Sequence, residues 1–141
     1  MSDFICLFAT HATRGRLPPH TAYYLSELKS CGFVIHLALS GAMELAPDIA
    51  DFCEKNDVTP WVRPNLGHDF GAWKDLVLSG CAGNASRVLL AHDSVFGPFV
   101  PLAPIFSRLE RTGCDVWGML ESLAVIPHLQ SWFVCFECGS F

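Results

Sequence analysis

The sequence predicts an α/β domain with a mainly parallel sheet and helices on both faces. Three observations carry that expectation. Short continuous apolar runs alternate with segments of helical periodicity along the whole chain. Of the 141 residues, 51% are hydrophobic and only 16% are charged, as expected of strands covered on both sides. The unusual polar residues cluster immediately after the strand-like runs. The length fits a single domain, 1–141.

Each element follows in order. Phe4 to Phe8 is a buried strand, and Thr21 to Lys29 a helix with Tyr24, Leu25 and Leu28 on one face and Gly32 as its stop. Phe33 to Leu39 is a second strand. Leu45 to Lys55 is a helix placing Leu45, Ile49, Phe52 and Cys53 together. Trp61-Val62 is a short third strand, Phe70 to Leu78 a helix, and Arg87 to Ala91 a fourth strand. Pro104 to Arg111 is a helix ended by Gly113, Asp115 to Leu120 a fifth strand, and Ser131 to Phe136 a sixth element.

Composition narrows the function classes. The net charge is −5 and there is no basic run, which argues against a nucleic-acid surface and a polybasic membrane anchor. No apolar stretch reaches the length of a spanning helix, and residues 3–9 lack the flanks of a signal peptide, so the chain is expected to be cytoplasmic. The seven cysteines are scattered through apolar segments and read as reduced core thiols, and Cys135 and Cys138 as unlinked, because a zinc site needs a second ligand pair.

In a parallel sheet covered on both faces, ligands bind outside the carboxyl ends of the strands. That rule selects the loops Thr10–Arg16, Pro64–Gly71 and His92–Pro98. In Asn65-Leu66-Gly67-His68-Asp69-Phe70-Gly71, two glycines bracket a turn leading into a helix. Glycine permits close backbone approach, and a helix start offers free N–H groups to phosphate, so Asn65, Gly67, His68, Asp69 and Gly71 are candidate ligand contacts. The competing role for Asn65 or Asp69 is helix capping. Strand 87–91 runs directly into His92, Asp93 and Ser94. Asp93 can hold Mg²⁺ or Mn²⁺ together with substrate phosphates, and the competing role is an Asx turn. Arg14 and Arg16 could reach a diphosphate. Glu121, after the fifth strand, is a candidate general base. Gln130 and Ser131 could face the site from the sixth element.

Four blocks resemble the rhamnan synthesis protein F family of polysaccharide biosynthesis. They are Asn65-x-Gly-His-Asp-Phe-Gly-Ala-Trp-Lys74, Leu-Leu-Ala-His-Asp-Ser-Val-Phe-Gly-Pro98, Asp115-Val-Trp-Gly118 and His128-Leu-Gln-Ser-Trp-Phe133, in the family's order. The family is similar to glycosyltransferases of the GT-A fold. The resemblance implies a nucleotide-diphosphate sugar donor, with rhamnose the suggested sugar, and a glycan or lipid-linked glycan of a surface polysaccharide or lipopolysaccharide as acceptor. It implies that Asn65, Gly67 and Asp69 contact the nucleotide or sugar, and that Asp93, beside Ser94, takes the metal–diphosphate place. Peripheral association with membrane-bound synthesis machinery at the inner face of the membrane is part of the same expectation.

Two features depart from the family. His92 stands where the family usually has asparagine, which would make His92 a second ligand to a metal at Asp93; imidazole binds Mn²⁺ and suits Mg²⁺ poorly, and the identity of the metal stays open between the two. The family domain normally continues further, so the chain is expected to supply the donor-binding half and to expose apolar surface around Trp132 to Phe136. Two rival readings are a non-catalytic module that binds nucleotide-sugar or glycan within a synthesis complex, and a hydrolase using Asp93 or Asp69 as nucleophile.

Overall fold

The computed structural model describes residues 3–137. Six strands form one sheet in the order β3-β2-β1-β4-β8-β5. The strands are β1 (Asp3–His11), β2 (Phe33–Ser40), β3 (Val58–Arg63), β4 (Ala85–His92), β5 (Val116–Gly118) and β8 (Phe133–Glu137). A separate hairpin is made by β6 (Glu121–Ser122) and β7 (His128–Leu129). The helices are α1 (Pro19–Ser30), α2 (Pro47–Asn56), α3 (His68–Leu78) and α4 (Ala103–Glu110). β1 to β4 run parallel, while β8 is antiparallel to both β4 and β5.

Alternation along β1 explains the layers. Cys6 and Phe8 point to one face and Ile5, Leu7 and Ala9 to the other. The first face continues through Ile35, Leu37, Leu89, Ala91, Phe133 and Cys135, and is covered by Leu25 and Leu28 of α1, Ile49 of α2 and Phe106 of α4. The second face packs against Ala72, Trp73 and Leu76 of α3. Helices therefore lie on both faces, and the expected parallel neighbours 4–8, 33–39 and 87–91 are adjacent.

The sequence misjudged a few boundaries for identifiable reasons. α2 starts at Pro47 rather than Leu45, because proline suits the first helical position, where no N–H is needed. β3 is longer than Trp61-Val62 and contains Pro60, which is tolerated because β3 is the edge strand. β5 stops at Gly118, and the β6–β7 hairpin follows, spanned by a tip with no Gly or Asn turn signal. The expected apolar surface at Trp132 to Phe136 is only partial, with Trp132, Val134 and Phe136 half-buried. β8 lies inside the sheet, with Phe133 and Cys135 buried. Exposed apolar side chains stand instead at Phe96 and Phe99 and on the hairpin tip at Leu123, Val125 and Ile126.

Cys6, Cys53 and Cys135 are buried free thiols, and burial pushes Cys53 up to about 11 and Cys135 up to about 12, so all behave as neutral core groups. Cys138 lies outside the described residues. No helix among the described residues is long and apolar enough to cross a membrane.

One half-buried histidine makes stability depend on pH. The Trp61 indole N–H donates to His36 Nδ1 at 3.1 Å, which requires a neutral ring. Burial holds the His36 pKa below its ordinary 6.5. Its contribution is present above the unfolded pKa and is lost as pH falls through the folded value. Melting temperature should therefore fall on acidification below about 6.5, and His36→Gln, which keeps an acceptor but cannot titrate, should flatten that part of the curve. An unchanged pH profile in the variant would rule His36 out as the cause.

Candidate functional site at the carboxyl edge

β1 connects outward to β2 and β3, while β4 lies on the other side of β1. The crevice between the carboxyl ends of β1 and β4 is therefore the topological switch point, where ligands of such sheets bind. Thr10, near the end of β1, and Asp93, just past β4, meet across it. The Thr10 hydroxyl donates to Asp93 Oδ2 at 2.7 Å, and the Thr21 hydroxyl, in the first turn of α1, donates to the same oxygen at 2.6 Å. Both threonines are buried. Short O–H to carboxylate bonds of this kind are strong and fix the carboxylate's orientation. The helix N-terminus adds a favourable dipole for the negative charge. Asp93 Oδ1 has no hydrogen-bond partner among the described residues and is left free to act.

His92 and Asp93 are consecutive, so they diverge to opposite sides of β4's end. Asp93 goes to the α1 side. His92 is buried on the α3 side, where its ring stacks on Trp73 at 5.9 Å, and Trp73 in turn donates to the Ala91 carbonyl. The Ser94 N–H points at His92 Nδ1 (3.3 Å), which places the ring proton on Nε2, and Nε2 faces Asp69 Oδ2 at 3.5 Å. This corrects the expectation that His92 shares a metal with Asp93: both ring nitrogens are engaged away from Asp93. Asp69 and Asp93 both reach the carboxyl edge, but Asp69 goes with His92 on the α3 side and Asp93 with the two threonines on the α1 side.

The Asn65–Gly71 turn is built by backbone packing. Gly67 (φ +73°) and His68 (φ +53°) are both left-handed, a conformation that glycine adopts freely and histidine only at some cost. The Gly71 N–H donates to the Gly67 carbonyl at 2.8 Å. A Cβ on Gly71 would meet the Leu66 carbonyl oxygen at 2.3 Å. Arg63, buried at the end of β3, secures the turn. It donates to the Leu66 carbonyl (2.8 Å), to Ser40 Oγ (2.7 Å) and to Asp75 (2.9 Å). No side chain caps α3, so neither Asn65 nor Asp69 fills the capping role, and the first N–H groups of the helix are open to a ligand. Asn65 and His68 are exposed beside them.

The remaining candidates separate. Arg14 and Arg16 are exposed in the β1–α1 loop at the same edge, with no ion pair among the described residues. Ser94 follows Asp93 and is exposed. Gln130 and Ser131 lead into β8, whose start lies beside the end of β4 through the His92 N–H to Trp132 carbonyl bond. Glu121 is exposed on the β6–β7 hairpin, which leaves the same edge after β5, and it pairs with Leu129 beside Gln130.

A resident divalent cation would find one hard ligand here. No cluster of three or more His, Cys, Asp or Glu side chains converges among the described residues. A single carboxylate oxygen suits an ion of Mg²⁺ type, which keeps waters and takes its other ligands from substrate phosphates. Asp93 fits that role and His92 does not.

Three structural residues escaped the sequence reading. Thr10 fell within a selected loop without being assigned a role. Thr21 looked like any helical threonine. Arg63 carried one visible signal, a cation in an otherwise apolar strand just before the glycine turn.

No curated protein matches the chain. The family described as rhamnan synthesis protein F matches residues 52–139, a segment that contains the glycine turn, the Asp93 loop and β8. The chain belongs to the rhamnan synthesis protein F family, whose role is in polysaccharide synthesis.

Proposed function

We propose that the chain binds a nucleotide-diphosphate sugar at the carboxyl edge and acts as the donor-binding part of a GT-A-like glycosyltransferase that builds a surface glycan. The observation that carries this reading is the carboxylate of Asp93, fixed by Thr10 and Thr21 across the switch point with one oxygen left free. The glycine turn and the uncapped start of α3 would hold the donor's polar groups through backbone N–H groups. Arg14 and Arg16 would add charge toward the diphosphate. A divalent cation held at Asp93 Oδ1 would supply neutralisation of the departing diphosphate. A transferase also needs a base for the acceptor hydroxyl. Two carboxylates are candidates for it: Asp69, at the start of α3, and Glu121, on the hairpin that leaves the same edge after β5.

The test is calorimetry with a panel of nucleotide-sugars, with and without Mn²⁺. Asp93→Asn keeps an acceptor oxygen for the two threonines, so the fold should survive. Cation-dependent affinity should fall about tenfold or more, roughly 1.4 kcal/mol. Unchanged affinity in Mn²⁺ would make Asp93 a turn residue only.

The single carboxylate fixed at the switch point favours a second reading, a module that binds nucleotide-sugar or glycan without turning it over. Sugar transfer measured beside binding separates the two.

A further inference from the structure

A pocket of about 220 Å³ opens beside Asp93 on the α1 side of the sheet. Its walls include Tyr24, Phe96, Pro98, Leu102, Ile105 and Trp132, and no charged side chain contributes. Phe96 closes one side, its ring 4.4 Å from that of His20 on α1. Tyr24 stands one helical turn after Thr21, which holds Asp93.

Tyr24 is 4% exposed, yet its hydroxyl has no hydrogen-bond partner among the described residues. No polar side-chain atom sealed from solvent is left unpaired. The hydroxyl is therefore open to solvent, and Tyr24 is one wall of the pocket. A hydroxyl that is open to solvent can donate to a ligand oxygen placed against it. Burial, then Cys6 and Asp93, push the phenol pKa up, so the group remains a donor.

The walls define the ligand. A sugar ring placed there would strand several hydroxyls against hydrocarbon, without the partners they have in water. A hydrocarbon group loses nothing. An apolar cavity of about 150 Å³ holds a six-carbon ring, so this one has room for roughly eight to ten carbon atoms.

We infer that this pocket binds a branched or linear hydrocarbon group of that size ending in an alcohol or ether oxygen, which accepts from Tyr24, and that it seats the apolar end of the acceptor. The acceptor role rests on the transferase reading; the binding does not.

The probe is geraniol, a ten-carbon isoprenoid alcohol, with its glucoside and the corresponding hydrocarbon as comparisons, measured by calorimetry and by tryptophan fluorescence on the full chain. Saturable geraniol binding is expected without any nucleotide. Tyr24→Phe should weaken geraniol at least threefold and leave the hydrocarbon unchanged. Ile105→Trp, at a half-buried wall position, should abolish binding of both. The glucoside should bind at least as well as geraniol, because its sugar lies toward Asp93. No saturable binding, or binding indifferent to both substitutions, overturns the site. Geraniol binding with exclusion of the glucoside overturns the acceptor role. Geraniol binding without any nucleotide-sugar binding would leave the pocket standing and remove the transferase reading.

Discussion

Gly71→Ala is expected to destabilise the chain by about 3 kcal/mol, at the upper end for overpacking. It should also abolish whatever ligand binding the glycine turn provides. The expectation runs against propensity. Gly71 lies in the first turn of α3, and alanine in a helix is ordinarily preferred by about 1 kcal/mol. Here the added Cβ would stand 2.3 Å from the Leu66 carbonyl oxygen and 3.1 Å from its carbon, and both are backbone. Neither can move as a side chain could. Shifting Leu66 would also break its bond from Arg63, which ties the turn to Ser40 and Asp75. Gly83→Ala is the control, since the nearest atom to its added Cβ is an ordinary 3.5 Å away. It should change stability by no more than about 0.5 kcal/mol. Thermal unfolding of the two variants checks the contrast, and a Gly71→Ala protein as stable as the control would mean that the turn is not packed as described.

The same turn shows how much of the site the sequence exposes. Two glycines after an apolar strand signal a close backbone approach, and that signal identified the loop. The parallel sheet was equally legible, because strands buried on both faces leave continuous apolar runs such as Val88-Leu89-Leu90. The direction of each polar side chain was not. His92 and Asp93 look like a metal pair when written side by side. Strand alternation sends one to α3 and the other to α1, and that depends on which helix covers which face. The partners of Asp93 were hidden for a related reason. Thr10 and Thr21 are 83 and 72 residues away, and only the crossing of β1 past β4 brings them to it. The surroundings of Glu121 were hidden because the chain leaves the sheet at Gly118 and forms the β6–β7 hairpin, whose tip carries no Gly or Asn turn signal.

Arg87→Met should lower stability by about 2–3 kcal/mol while leaving the ligand-binding edge intact. Arg87 stands toward the amino end of β4, opposite Asp93, and is 6% exposed. It pairs with Glu110 at 2.7 Å and Glu137 at 3.0 Å, and its guanidinium lies 4.3 Å from the centre of the Phe4 ring. One side chain thus ties α4, β8 and β1 to β4. Breaking a fully buried pair costs about 3–5 kcal/mol, because a charge is left without its partner. The loss here is smaller, since the Glu110 and Glu137 side chains remain 42% and 29% exposed and water screens them. Methionine retains the packing over Phe4, so what is removed is mainly charge. The melting temperature should fall by roughly 10 °C for a domain of this size. Adding Glu137→Gln should recover part of it, because the second change removes the orphaned carboxylate while an amide oxygen still accepts from the Trp117 indole N–H. Nucleotide-sugar affinity, measured well below the melting transition, should stay within about twofold of the parent, the scatter of a mutation that touches no contact. A melting temperature within about 2 °C of the parent would show that the Arg87 network contributes little. An affinity loss comparable to that of Asp93→Asn would show that the two ends of β4 are coupled, and the division between a stabilising amino edge and a ligand-binding carboxyl edge would fall.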